Sequence, residues 1–281
     1  KNNEDMGKLK LTSNNSIYTK IISPNFDLKY NLSNSDLGNN ISSLIRYREP
    51  DSEKKTLFIW PEGSFAGFNF EQIKEYRTLF KNAFSKNHLI LFGISTIHKN
   101  KNKDEIFNSL IIVNNNFDII FQYNKNKLVP FGEFLPFETF LSNLGLKKIT
   151  EGYSSFSRGI KNDIFRQDNL KILPLICYEV IFAELSQGQK NLIVNISEDA
   201  WFGDTAGPDQ HFAKAIFRAI ENNVYLARSA NKGYSAFVNN KGITKKVLKP
   251  NEAGVIELKV PIINNIQKKY KIDLIFFVLL F

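Results

Sequence analysis

Short apolar, β-branched runs alternate with amphipathic stretches along most of the chain. The runs predict strands at Ile17–Ile22, Thr56–Trp60, His88–Ile94, Ser109–Val113, Ile119–Tyr123, Leu170–Cys177, Asn191–Ile196, Tyr225–Ala230 and Ser235–Val238. Helical patterns fall between them, at roughly Leu37–Arg48, Phe70–Phe84, Pro136–Leu144, Glu179–Glu184 and Gly207–Asn222. In the last of these, Phe212, Ala215, Ile216, Ala219 and Ile220 recur at helical spacing, which predicts one buried face. Strands with flanking helices throughout predict a layered α/β domain. The polar stretches Asn31–Ser43 and Thr150–Asp168 read as surface excursions. No internal repeat and no long linker divides the chain, so one domain is expected.

The end of the chain changes that picture slightly. Leu274–Phe281 is an unbroken apolar run preceded by Lys268, Lys269, Lys271 and Asp273. A bilayer-spanning helix needs about 20 apolar residues, and this run is far shorter. A core strand gives a similar string but is usually followed by a turn. The run therefore reads as the start of a truncated membrane helix, dividing the chain into a domain over 1–265 and a stub over 266–281. A chain that begins with Lys1 reads as cut from something longer, and its polar first ten residues show no signal peptide.

Composition narrows the function. With 43% hydrophobic and 23% charged residues, wholesale disorder is excluded. The net charge of +9 is spread through loops, a pattern of solubility and weak attraction to anionic surfaces rather than a nucleic-acid footprint. One cysteine rules out an intrachain disulfide framework and a Cys-cluster metal site. Three scattered histidines suggest no His-based site either, so neither metal nor cofactor is expected.

Three segments carry possible chemistry, and each has a plain structural alternative. The lone cysteine ends the apolar strand Lys171–Cys177, which places its thiol at a carboxyl strand end, where α/β sheets bind ligands. A strand-to-helix turn there would aim the Tyr178 and Glu179 N–H groups at an oxyanion. The alternative is a small buried hydrophobe. Glu62 follows the strand Leu57–Trp60 between Pro61 and Gly63, and a carboxylate so held can take a thiol proton; the alternative is a solvated turn residue. Lys125 lies at a third strand tip, in Tyr123-Asn-Lys-Asn-Lys-Leu-Val-Pro-Phe-Gly-Glu133, where an ammonium can stabilise an oxyanion. As one lysine among many it carries little weight alone.

Glu, Lys and Cys at three strand tips, in that order, resemble the carbon–nitrogen hydrolase (nitrilase) superfamily. Within it the chain is most similar to the apolipoprotein N-acyltransferase family. The likeness rests on Tyr123-x-Lys125-x-x-Leu-Val-Pro-Phe-Gly-Glu133, Cys177-Tyr-Glu179, Asn195-Ile-Ser-Glu-Asp-Ala-Trp-Phe-Gly203, Gly207-Pro208 with Gln210-His211, and Arg218 to Gly233. It runs from about Tyr18 to Val260. The resemblance implies an α-β-β-α sandwich, with Glu62 as general base, Cys177 as nucleophile, and Lys125 with the Tyr178 amide stabilising the tetrahedral intermediate. It further implies a supporting role for Glu133, for which a lysine-paired turn carboxylate is an equal reading. Tyr178 and Glu179 would line the pocket, and Trp201 and Phe202 the lipid mouth, with core packing the competing reading for Phe202. Arg218, Glu221 and Arg228 would be architectural. The implied reaction moves a fatty acyl chain from the sn-1 position of a phospholipid to the N-terminal amine of a diacylglyceryl-cysteine apolipoprotein, through a thioester. The implied setting is a monomer at the bacterial inner membrane, with its catalytic domain on the periplasmic side.

Three departures stand against the resemblance. Gly63-Ser64 follows Glu62 where a Thr-Ala type pair is usual, Glu198 occupies a position commonly Asn, and the family's N-terminal transmembrane helices are absent from this sequence while its final one reads as a stub ending at Phe281. Two alternatives follow: a soluble amidase or nitrilase of the same superfamily, and a catalytically silent lipid-binding fragment. Nucleic-acid binding, which rests on charge alone, ranks last.

Overall fold

The computed structural model describes residues 16–47, 52–100, 104–136, 155–160 and 163–263. All but the first residue of the expected helix Pro136–Leu144 lies outside these residues, as does the expected stub over 266–281. Two six-stranded sheets form the centre. The first comprises β1 (Ser16–Ser23), β2 (Thr56–Ile59), β3 (His88–His98), β4 (Glu105–Val113), β5 (Ile119–Asn124) and β12 (Gly254–Pro261), in the order β12-β1-β2-β3-β4-β5. The second comprises β6 (Phe165–Gln167), β7 (Leu170–Ile176), β8 (Leu192–Glu198), β9 (Tyr225–Asn231), β10 (Ser235–Val238) and β11 (Thr244–Leu248), in the order β11-β10-β9-β8-β7-β6.

Side-chain alternation along the central strands separates three apolar layers. Ile21, Leu57, Ile59, Leu91 and Ile112 point between the sheets, where they meet Ile172, Ile176, Val194, Ile196 and Phe237. Their neighbours Ile22, Phe58, Trp60 and Phe92 face outward onto helices α1 (Asn34–Arg46), α2 (Phe70–Ile73) and α3 (Arg77–Ala83). On the other side, Leu173, Leu175, Ile193 and Leu226 pack against helix α4 (Gly207–Asn222). The result is the expected α-β-β-α sandwich.

Strands β1, β2 and β3 run parallel, as do β7, β8 and β9. Two antiparallel steps, β3 to β4 and β4 to β5, return β5 to the direction of β3. The carboxyl ends of β2, β3 and β5 therefore share one edge of their sheet.

Several local expectations need correction. Asn31–Ser43 is not an excursion: most of it is α1, opened by a Ser33–Asp36 capping box and buried through Leu37, Ile41 and Leu44. The single helix expected over Phe70–Phe84 is interrupted by a 3₁₀ turn, Lys74–Tyr76, and Glu179–Glu184 forms 3₁₀ turns. Helix α4 has the expected bounds, but Ile220 is 44% exposed and the buried strip instead includes His211, Arg218 and Asn222. Strands β6, β11 and β12 were not expected. β11 is a polar edge strand with two lysines, the composition that guards sheet edges and blunts an alternation signal. β12 pairs with β1 over its whole length, so the two ends of the domain close one sheet edge.

Candidate active site

Cys177 directly follows β7 and adopts a left-handed backbone with φ +48°. For a non-glycine residue that conformation is held only by its surroundings. The turn lifts the thiol out of the strand line and starts the 3₁₀ turn Cys177–Ile181. Burial pushes the thiol up to about 12; the Glu62 charge adds to the rise and the Lys125 charge opposes it. At neutral pH the sulfur therefore carries a proton, which a neighbouring base would have to remove before the thiol could act as a nucleophile.

Glu62 supplies a carboxylate next to that thiol. The Trp60 N–H donates to the Leu91 carbonyl, extending the ladder one residue past β2. Pro61 ends it, and Gly63 turns the chain with φ +78°. The Glu62 carboxylate accepts from Asn108 Nδ2 at 2.7 Å and from the Glu198 N–H at 3.2 Å. Lys125 Nζ lies 3.7 Å from Glu62 Oε1 and donates to Glu133 Oε1 at 2.9 Å. Burial alone would lower the pKa of this ammonium, but the Glu133 and Glu62 charges outweigh it and hold the value above the usual lysine range. Glu133 also accepts from Asn108 Nδ2 at 2.7 Å and from the Val129 N–H at 2.8 Å, so it is at once a turn carboxylate and a neighbour of the lysine. Three strand tips thus converge as the sequence suggested. Asn108, which bridges both glutamates, was missed because an asparagine within Phe107-Asn-Ser-Leu110 has no motif to mark it.

Residues 30–264 match the carbon–nitrogen hydrolase family. The chain belongs to that family. Among its relatives, the apolipoprotein N-acyltransferase of Brucella suis is 34% identical over 211 residues, covering 73% of this chain and 40% of the relative. The apolipoprotein N-acyltransferase of Rickettsia prowazekii is 30% identical over 265 residues, covering 91% and 52%. The chain thus spans about half the length of these curated relatives. An amidase from Nesterenkonia sp. superposes with TM-score 0.64 at 15% identity, over 96% of this chain and 98% of the amidase. A superfamily protein from Xanthomonas campestris with an arsenic adduct in its active site gives 0.61 at 14%, over 87% and 90%. Both structures share the fold.

In this carbon–nitrogen hydrolase the three tips open into a cavity of about 400 Å³. Its walls are mostly apolar, from Leu28, Tyr30, Phe65, Val129, Pro130 and Phe156, with Tyr178, Trp201 and Phe202 also on the lining. Trp201 is 44% exposed and packs on Tyr30 with ring centroids 5.2 Å apart, so an aromatic pair stands at the mouth. Phe202 leans on the His211 ring at 5.5 Å and is only half-buried. Glu179, expected on the wall, lies beneath it instead. Its carboxylate is fully buried and accepts from the Tyr123 hydroxyl and the N–H groups of Asn126, Lys127 and Ile176, tying the β5 tip to the Cys177 turn. Burial pushes its pKa up against the pull of those donors.

Two of the sequence departures prove to be neighbours. A Cβ on Gly63 would lie 2.3 Å from Glu198 Oε2, so the larger side chain at 198 occupies the space that a side chain at 63 would need. Glu198 accepts from the Ala200 N–H and from Asn231 Nδ2. Burial still pushes its carboxyl up to about 8, with the Glu62 and Asp199 charges adding to the rise. Arg228 is architectural as expected: fully buried, it donates to Asp199 at 2.7 Å and to the Asn195 side chain. Arg218 pairs with Glu221 at 2.9 Å on the outer helix.

Proposed function

We propose that this chain is the acyl-transferring part of an apolipoprotein N-acyltransferase, with Glu62, Lys125 and Cys177 as its triad. The observation that carries the reading is the convergence of these three residues on one apolar-walled cavity with an aromatic mouth. The similarity to apolipoprotein N-acyltransferases supports the choice of substrates.

The proposed chemistry has two halves. Cys177 Sγ attacks the carbonyl carbon of the sn-1 ester of a phospholipid while Glu62 takes the thiol proton. Lys125 and the Tyr178 N–H stabilise the tetrahedral oxyanion. Collapse breaks the ester C–O bond and the leaving alkoxide receives the proton from Glu62, leaving a thioester on Cys177. The α-amine of a diacylglyceryl-cysteine apolipoprotein then attacks the thioester carbon, Glu62 accepts the amine proton, and the thiolate departs and is reprotonated. Glu133 and Asn108 hold the lysine and the base in register. An apolar cavity favours an amine presented on a lipid over loose water. Trp201 and Tyr30, amphipathic rings at the mouth, suit a boundary between lipid and water. The working site is the bacterial inner membrane, with the domain on its periplasmic face, as a monomer. No helix among the described residues is long and apolar enough to cross a membrane.

The test is the intact mass of the chain after incubation with a phospholipid in detergent, beside Cys177→Ala. The expected result is a gain of one fatty-acyl mass that hydroxylamine removes and the variant lacks. A folded protein that gains no mass yet cleaves a small amide would overturn the reading in favour of an amidase.

A further inference from the structure

His211 is a buried group in contact with the nucleophile turn, yet the mechanism above gives it no part. It lies in the first turns of α4, 6% exposed, with its ring between Asp199 and the Cys177 backbone. Its Nε2 is 3.1 Å from the Cys177 carbonyl oxygen. A carbonyl only accepts, so Nε2 must carry the hydrogen. The other nitrogen, Nδ1, is 3.0 Å from Asp199 Oδ1 and 3.0 Å from Arg228 Nη2. A neutral ring would accept there from Arg228, and a charged ring would donate to Asp199. In either state the proton on Nε2 stays. Asp199 is itself fixed by Arg228 at 2.7 Å and by the Ser197 hydroxyl at 2.6 Å. Burial alone would raise the pKa of Asp199, but Arg228 and His211 outweigh it and hold the carboxyl well below the usual range.

We propose that His211 is a positioning residue for the oxyanion site: by holding the Cys177 carbonyl it aims the Tyr178 N–H into the cavity. Peptide geometry couples the two groups. The Cys177 carbonyl and the Tyr178 N–H belong to one planar unit, and no peptide bond among the described residues is cis. In a trans peptide the two groups point in opposite directions, so anchoring the oxygen on one side directs the hydrogen to the other. The left-handed Cys177 backbone needs such an anchor, because nothing in its own chemistry favours φ +48°. The inference rests on Cys177 being the nucleophile, but not on which acyl donor it meets.

Two variants separate the contacts of His211. The amide nitrogen of His211→Gln reaches where Nε2 stood and can still donate to the Cys177 carbonyl. That of His211→Asn reaches only where Nδ1 stood. Two probes separate the chemistry: p-nitrophenyl butyrate, whose attack on Cys177 builds an oxyanion, and iodoacetamide, whose displacement by the thiol builds none. In His211→Asn, acylation is expected to fall about 10²–10³-fold, the size of a lost oxyanion donor, while alkylation stays within about threefold. In His211→Gln, acylation is expected within about tenfold of wild type. Acylation and alkylation falling together, or His211→Asn acylating like wild type, would overturn the proposal. Acylation by the small ester but not by phospholipid would reject the lipid reading and leave this inference standing, whereas a wild type acylated by neither would reject both. Should His211→Asn fail to fold, the ¹⁵N spectrum of wild type decides. His211 is one of three histidines, and an Nε2 without its proton would overturn the proposal.

Discussion

Asn108 directs its side-chain nitrogen at two carboxylates, and through them it sets the distance between Glu62, Glu133 and the single ammonium of Lys125. Within this cluster the proposed function assigns the proton transfer to Glu62. Glu62→Gln is expected to slow Cys177 acylation about 10²–10⁴-fold at unchanged fold, measured by the rate of mass gain. Glu198 answers to pH instead. Its carboxyl loses a proton near 4.5 in the unfolded chain and near 8 in the folded one. Between those values the folded state binds more protons, so this group's contribution is full below pH 4.5 and is lost as pH rises toward 8. Glu198→Gln should therefore flatten the fall of melting temperature across that window; an unchanged slope would contradict the burial argument. The meeting of Glu62, Lys125 and Cys177 on one cavity was legible because three strand tips carry these residues inside recognisable strings. Asn108 and the Nε2 contact of His211 were not legible, since each acts through a partner distant in sequence.

The Glu62 turn and the tip of β8 form one interlocking pair. Gly63 combines a φ of +78° with a Cβ position only 2.3 Å from Glu198 Oε2. Gly63→Ala should destabilise by more than about 2 kcal/mol, combining backbone strain with the overlap. In a Glu198→Ala background the same change should cost only about 1 kcal/mol, the strain that remains. Equal costs in both backgrounds, from denaturant midpoints, would show that the two positions are independent. Strands β1, β2 and β10 lie where their short apolar runs put them, and α4 where its helical spacing does. The pattern of helix α1 is ambiguous between helix and loop because Ser33–Ser43 is rich in Ser and Asn, although Leu37, Ile41 and Leu44 provide its buried stripe. β12 escaped notice because most of its residues are only partly buried and Glu257 and Lys259 interrupt its apolar run.

Neither sheet holds a complete site. Glu62, Lys125 and Asn108 come from the first, Cys177, Glu198 and Trp201 from the second, and the inter-sheet core keeps them together. Ile196 is fully buried in that core, and its Cδ1 is 3.1 Å from where a Cβ on Gly93 would stand. Ile196→Ala is expected to cost about 2–5 kcal/mol, read from urea unfolding. In wild type, loss of Cys177 acylation and loss of near-ultraviolet circular dichroism should fall on one urea curve. The layering was legible from strands alternating with helices, and the sandwich from the family resemblance. The order of strands was not, because pairing between β12 and β1 spans nearly the whole chain. The most direct test of acyl transfer is the fate of a preformed acyl-enzyme, isolated from donor and mixed with a diacylglyceryl-cysteine peptide or with buffer alone. The expected result is an acylated peptide, formed much faster than fatty acid appears in buffer. Release of free fatty acid at the same rate in both, with the peptide unmodified, would make this chain a hydrolase and contradict the proposed function.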